Sequence, residues 1–298
     1  MLKIDKPRDS DTHTIADFAE LLCLVTVDRV CTRETIIDQA RDVGEHTVTD
    51  VVLDDCFSQL AWRVIAYGPH YPFQLDNRSR VLSANKTLLE PQKLYTLLLL
   101  CANLPFVTRR DGTLTAAFER IAFLALKASW SVNGVARAFG KTETEYVGAK
   151  WQRINKLAED IGGTGLCTDK SFREGDSGDG GIDLVAWLDL DAHEKLNIPS
   201  ALAQCACSRD NWSTKQTEIS EDRIKNLIHS THRWNQIMFI PQSFRDSRGK
   251  WAVPGEIGQV ILFDRLRIMR QLGEAIDWAH IAPPEIFNFI LDERLELV

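Results

Sequence analysis

Gly178-Asp179-Gly180-Gly181-Ile182-Asp183-Leu184-Val185-Ala186-Trp187, with Ala203-Gln204-Cys205-Ala206-Cys207 after it, is the stretch on which the fold turns. Ile182 to Leu188 is a short apolar run entered through glycines, which reads as a buried strand. Ala201 to Cys207 is a second such run, built from small and apolar residues. Between them lies a polar connection with Asp189, Asp191, His193, Glu194, Asn197 and Pro199, so the pair predicts a hairpin with a long loop. Side chains alternate along a strand, and a turn centred near 193–195 sets Asp183 across from Gln204 or Cys205. Gln204 and Ala206 then share a face that Asp183 can join. Ser213 followed by Gln216 has the form of a capping box, which predicts a helix with Lys215 in its first turn. An acid, an amide and an ammonium group are thereby expected at one spot.

That combination suits phosphodiester hydrolysis. A carboxylate holds a hard divalent cation through oxygen, and an amide oxygen is a weaker ligand of compatible geometry. The cation polarises the phosphate and acidifies a bound water. A lysine nearby orients that water or stabilises charge growing on the phosphoryl oxygens.

The order Asp183, then Gln204-x-Ala206 on the next strand, then Trp212-x-x-Lys215, resembles the PD-(D/E)xK, restriction-endonuclease-like nuclease superfamily. It is most similar to a bacterial subfamily associated with antiviral defence, with a Gln-x-Ala triplet on the third strand. The resemblance implies an αβββαβ core, Mg²⁺ or Mn²⁺ as cofactor, DNA as substrate and an endonuclease acting as effector of an anti-phage system. It implies Asp183 and Gln204 as metal ligands and Lys215 as a migrated lysine assisting the attacking water. Phe118-Glu119-Arg120 resembles the first core helix, whose acid reaches the metal, so Glu119 joins the ligand set. Alternatively, Glu119 is a surface glutamate paired with Arg120 or Lys127 along its helix. Gln204 stands where the superfamily has an acid, as the Mrr-like branch also has, and Ala206 stands where it has lysine. Those departures leave a second reading: a catalytically degenerate nuclease fold that binds DNA or serves as a scaffold. A partner ATPase, helicase or sensor protein belongs to that reading, and a homo-oligomer is compatible with both.

The 298 residues are long for one core and predict two domains. Leu104 to Thr113 is the expected boundary. It separates a helical accessory or partner-binding domain (1–110) from an α/β domain (111–298), an α+β or α/β chain as a whole. No apolar run is long enough to span a bilayer, and the charged start lacks a signal core, which predicts a cytoplasmic protein. Seven scattered cysteines without a CxxC pair point to buried thiols rather than a disulfide framework or zinc. The net charge of −7 excludes a chain coated in nucleic-acid-binding surface. Charge is uneven, however: residues 1–60 hold 6 basic and 13 acidic residues, and residues 201–270 hold 11 and 7. The basic excess is either a phosphate-binding patch or a solvated face.

Helical spacing of apolar residues predicts helices over 14–25, 32–41, 50–66, 91–103, 115–128 and 146–161, with Pro69 and Pro72 breaking the third. Residues 164–170 are expected as a first core strand. A helix is expected to run from 213 through Ile228, carrying His229 and His232 at its end. Ile237 to Pro241 and Val260 to Phe263 complete the strands, and a helix over 264–278 and a short one opened by Pro283-Pro284 close the chain. The acid-rich loop 171–181 matches neither an EF-hand, since Gly178, Gly180 and Trp187 occupy ligand positions, nor a Walker loop. Asp179 either assists the metal or shapes the turn, and Trp212 either packs beneath its helix or stacks on nucleic acid.

Overall fold

The structure, a computed structural model, describes residues 11–42, 48–104, 111–140, 144–173, 180–191, 193–209, 211–273 and 276–282. Its first part is helical around a small sheet: α1 (Thr12–Val25), β1 (Val30–Thr32), α2 (Arg33–Asp42), α3 (Asp50–Tyr67), β2 (Phe73–Leu75), β3 (Val81–Ala84) and α4 (Glu90–Cys101). The Thr49 hydroxyl caps α3 by accepting from Val52 N. Gly68, at φ 51°, ends it, and Pro69 prevents its resumption. β2 and β3 fill the polar interval between α3 and α4 and join β1, which precedes α2, in an antiparallel sheet of order β1-β3-β2. This sheet is an addition to the mostly helical expectation for this part.

The second part is α5 (Asp111–Ser129), β4 (Gly134–Ala138), α6 (Lys150–Asp160), β5 (Thr164–Gly165), β6 (Leu184–Leu188), β7 (Ser200–Cys205), α7 (Trp212–Lys215), α8 (Glu221–Ile224), β8 (Ile228–His229), β9 (Asn235–Phe239), β10 (Ile261–Phe263), α9 (Arg265–Leu272) and α10 (Trp278–Ile281). Five strands form a mixed sheet in the order β10-β9-β7-β6-β4. β4, β6 and β7 pair antiparallel, whereas β7, β9 and β10 run parallel. The result is a mixed α/β fold with helices on both faces of the sheet.

Alternation assigns those faces. Leu184, Ala186, Ala201, Ala203 and Cys205 pack into one cluster with Ala117, Phe118, Ile121 and Ala125 of α5. Ala186, Ala201 and Ala203 on the strands and Ala117 and Ala125 on α5 leave room for Phe118 and Ile121 to fill the contact. On the other face Val185, Trp187 and Leu202 meet Ile154 and Leu157 of α6 and Ile219 and Ile224 beyond α7. Ala206, Met238, Ile240 and Leu262 meet Trp212 and Phe244 on the same side. The α5-side cluster runs on without a break into α1, α3 and α4.

Three sequence expectations are corrected. The first core strand is β4, placed before α6; residues 164–165 instead pair with β8 in a separate two-stranded ribbon. The long helix from 213 breaks into α7, a 3₁₀ turn over Gln216–Ile219 and α8, with Ser220 in extended conformation between the last two. His229 therefore lies on β8 and His232 in the following loop, where Ser200 and Ser230 contact its ring. The capping box does not form: Asn211 holds the N-cap position, and Gln216 Nε2 donates to the Ser213 carbonyl. Asp179 and Pro283-Pro284 lie outside the described residues.

A buried ionic cluster ties the two parts together. Arg265 of α9 donates to Asp17 Oδ2 (3.0 Å), Glu20 Oε2 (3.4 Å) and the Tyr95 hydroxyl (3.0 Å). Arg63 of α3 faces Asp17 Oδ1 (2.7 Å) and Glu20 Oε1 (2.8 Å). Tyr71 and Tyr95 also donate to Glu20. Both guanidiniums are 0 % exposed. Burial pushes the Asp17 carboxyl up, but Arg265, Arg63 and Arg209 outweigh it and bring it down to about 2.

Candidate functional site

The glycine turn that opens β6 is required by its surroundings. Gly181 sits at φ 87°, and a Cβ there would come within 2.6 Å of Glu218 Cβ. The turn delivers Asp183 to the end of β6, where the sheet consumes its whole backbone. Asp183 N donates to Ala203 O (2.9 Å), and its carbonyl accepts from Phe139 N (2.7 Å) and Gly140 N (3.0 Å). The carboxylate takes the next place in the ladder: Oδ2 accepts from Cys205 N at 2.6 Å. A charge-assisted bond of this kind fixes the acid at the strand end.

Leu184 pairs with Ala203, so Asp183 stands opposite Gln204 in the continued register. The hairpin expectation holds in both register and face, since alternation sets Gln204 with Leu202 and Ala206. Both residues are nearly enclosed, Asp183 at 8 % and Gln204 at 5 % exposure. Gln204 Oε1 is buried without a hydrogen-bond donor. An amide oxygen left in that state costs about 1–3 kcal/mol and is matched by a cation or a donor.

Lys215 closes α7 and is half-buried, as is Glu119 on α5. The two thiols of Cys205 and Cys207 report where their charges fall. Burial raises the Cys205 thiol most; Asp183 and Glu119 raise it further, and Lys215 opposes them. Burial leads again at Cys207, followed by Cys101 and Glu119, with Lys215 opposing and Asp183 adding. Two carboxylates and one ammonium group thus act on the same pair of thiols at the end of β7. Gln204 sits beside them in sequence but projects from the opposite side of that strand.

Sequence reasoning missed that Asp183 replaces a backbone acceptor and that Cys205 and Cys207 lie amid the charges. The alternation Gln-Cys-Ala-Cys was the available signal. Among the described residues no three His, Cys, Asp or Glu side chains gather into a metal-holding group. The nearby oxygens, two carboxylates and an orphaned amide, are hard donors of the kind Mg²⁺ or Mn²⁺ takes, but Gln204 and Glu119 approach β7 from opposite sides. Trp212 is packed, with its ring against Phe244 at 4.9 Å. No helix among the described residues is long and apolar enough to cross a membrane. No protein-family model, curated protein or solved structure matches this chain.

Proposed function

We propose that the chain is a metal-dependent DNA nuclease with a restriction-endonuclease-like core. What supports this reading first is the register of β6 against β7, which faces Asp183 with an orphaned Gln204 oxygen at one sheet end. The element order adds to it in part: with α6, which lies between β4 and β6, and the separate β5–β8 ribbon set aside, α5, β4, β6, β7, the helical segment of α7 and α8, then β9 follow as α-β-β-β-α-β, with β7 and β9 parallel.

In this mechanism Asp183, Glu119 and Gln204 would hold Mg²⁺ or Mn²⁺. When bound, the ion supplies a Lewis acid and an acidified water. Asp183 is fixed by Cys205 N, so its remaining oxygen has a set direction toward the site. Gln204 contributes a neutral oxygen, which lowers the negative charge a phosphate must approach. Lys215 stabilises charge on the phosphoryl oxygens or orients the attacking water.

A second reading is favoured by one observation: Gln204 and the α5-facing thiols near Glu119 lie on opposite sides of β7. A catalytically silent DNA-binding or scaffold protein, working with an ATPase or sensor, tolerates that separation. Supercoiled plasmid incubated with Mn²⁺ decides between them. The nuclease reading expects nicking by the wild type and a loss of at least about a hundredfold in Asp183→Ala. If neither protein cuts and both bind DNA with an affinity that falls steeply with salt, the silent reading replaces it.

A further inference from the structure

The basic excess of residues 201–270 gathers in one place. Six of its 11 cations fall at 245–270, and Arg265 is taken up by the buried cluster, which leaves Arg245, Arg248, Lys250, Arg267 and Arg270. The acids beside them are engaged. Asp264 accepts both arms of the Arg245 fork (2.8 and 3.1 Å), and Asp246 Oδ1 accepts the backbone N–H of Arg248 (2.9 Å) and of Lys250 (2.8 Å). Glu256, the remaining acid of the segment, lies on the turn whose carbonyl accepts from Gln216 Nε2. Among the described residues no carboxylate pairs with Arg248, Lys250, Arg267 or Arg270.

Stacking and a brace from α3 hold the patch in shape. The Trp251 ring carries the Arg245 guanidinium at 3.6 Å and that of Arg267 at 4.7 Å. Burial, followed by the charge of Arg245, pulls the Arg267 guanidinium below its ordinary range, and Asp264 opposes them. It remains charged, and a further anion beside it is favoured. Arg248 and Lys250 are exposed on the turn, and Arg270 is exposed one helical turn beyond Arg267 on α9. From α3, Gln59 Nε2 donates to Arg245 O and the Tyr67 hydroxyl donates to Ser243 Oγ (2.8 Å). Trp62 lies against Gly249, where a Cβ would come within 2.9 Å of its Nε1. The N-terminal part thus supports this surface.

The patch shares a sheet end with Asp183. Cys205, Phe239 and Phe263 pair in one row across β7, β9 and β10, and Cys205 N donates to the Asp183 carboxylate. The turn at 245–251 follows β9, and α9 follows β10. Trp251, Phe244 and Trp212 make a ring-to-ring path (6.4 and 4.9 Å) to the helix that ends in Lys215. Three strand spacings from β6 to β10 make roughly 14 Å, the length of about four base pairs. We infer that Arg248, Lys250, Arg267 and Arg270, mounted on Trp251 and braced by α3, form a surface that holds the phosphate backbone of duplex DNA alongside the sheet end of Asp183. DNA as the polyanion rests on the proposed function, whereas binding at this surface does not require that the chain cut. The tip Asp246-Ser247-Arg248-Gly249-Lys250 has no apolar side chain to enter a bilayer, which sets a phospholipid surface aside. Phosphate contacts position a duplex without reading it, so the affinity is expected to be independent of sequence.

Fluorescence anisotropy of the full chain with a labelled duplex, in EDTA and between about 50 and 200 mM salt, tests the surface. A triple variant, Arg248→Gln with Lys250→Gln and Arg270→Gln, changes exposed side chains alone, so its thermal melt should match wild type. It is expected to bind at least about tenfold more weakly at the lower salt and to lose about 2–3 from the slope of log affinity against log salt. A control triple, Lys156→Gln with Lys225→Gln and Arg233→Gln, removes the same charge from cations paired with Asp160, Asp222 and Glu221. Its loss should stay under about threefold. Equal losses in the two triples overturn the inference, because net charge alone would then act. So does a wild type that fails to bind the duplex at the lower salt, or one that binds phosphatidylserine vesicles in its place. Plasmid cleavage with Mn²⁺ separates this surface from the hydrolytic reading. Duplex binding lost in the first triple, with no cleavage by any protein, supports the surface and removes the hydrolysis. A wild type that cuts, with a first triple that binds and cuts equally well, overturns the surface and leaves the hydrolysis standing.

Discussion

The cluster of Asp17, Glu20, Arg63 and Arg265 and the sheet end of Asp183 and Gln204 are both polar and buried, yet they are built on opposite plans. In the first, each carboxylate meets two guanidiniums, and two tyrosines supply further donors. In the second, Asp183 Oδ2 accepts from Cys205 N, and the facing Gln204 amide oxygen has no hydrogen-bond donor. Apart from Arg63 Nε, which has no partner, the first network is saturated and pins elements to one another; the second is unsaturated at Gln204 Oε1. On the proposed reading, the difference marks the first as structural and the second as the candidate site.

The largest effect that probes this contrast belongs to the saturated side. Arg265→Met leaves Glu20 buried beside Arg63, and Asp17 beside Arg63 and the more distant Arg209, and is expected to cost about 3–5 kcal/mol in urea unfolding. A loss under 1 kcal/mol would make the cluster incidental. On the unsaturated side Asp183→Asn keeps an oxygen for Cys205 N, so its melting temperature should stay close to wild type. Plasmid cleavage should nevertheless fall about a hundredfold. A melt that collapses along with the activity would move Asp183 into the structural class.

Acid titration should sharpen the first side further. The folded His13 sits at about 4 against an ordinary 6.5, so the unfolded chain takes the proton first. Its contribution is complete above about 6.5 and is lost as pH falls toward 4. Asp17 follows, since its folded value of about 2 lies below the ordinary 3.8, and its contribution disappears between them. Stability measured against pH should thus decline in two legs, and His13→Asn should remove the upper one. The smallest expected change has the opposite sign. Gln204→Leu removes an unanswered acceptor and should leave stability unchanged or raise it by about 1 kcal/mol. A drop of more than about 2 kcal/mol would reveal a partner for that oxygen and erase the contrast.

What the sequence disclosed follows the reach of each interaction. The face and register of Asp183 against Gln204 were legible because alternation and loop length are local. β4 was not: Gly134-Val135-Ala136-Arg137-Ala138 lacks a marked apolar alternation, and its strand character comes from pairing with β6. The break after Lys215 was hidden because helical spacing of Ile219, Ile224 and Leu227 also suits a chain of short turns. Asp17 and Glu20 lie within the apolar stripe of α1, where nothing marks them as buried; the partners of Asp17 are 46 and 248 positions away, and Arg265 is 245 from Glu20. The orphaned oxygen of Gln204 is a property of packing alone, and no sequence signal separates that glutamine from any other.

The tie between Asp17 and Arg265 also has a consequence in time. During synthesis α1 leaves the ribosome first, and its acids wait for a guanidinium encoded 248 residues later. At ordinary elongation rates that delay is roughly 12–50 seconds. Until then Arg63 of α3 is the main counter-charge to both acids, and the cluster reaches its full set of ion pairs only after α9 has emerged.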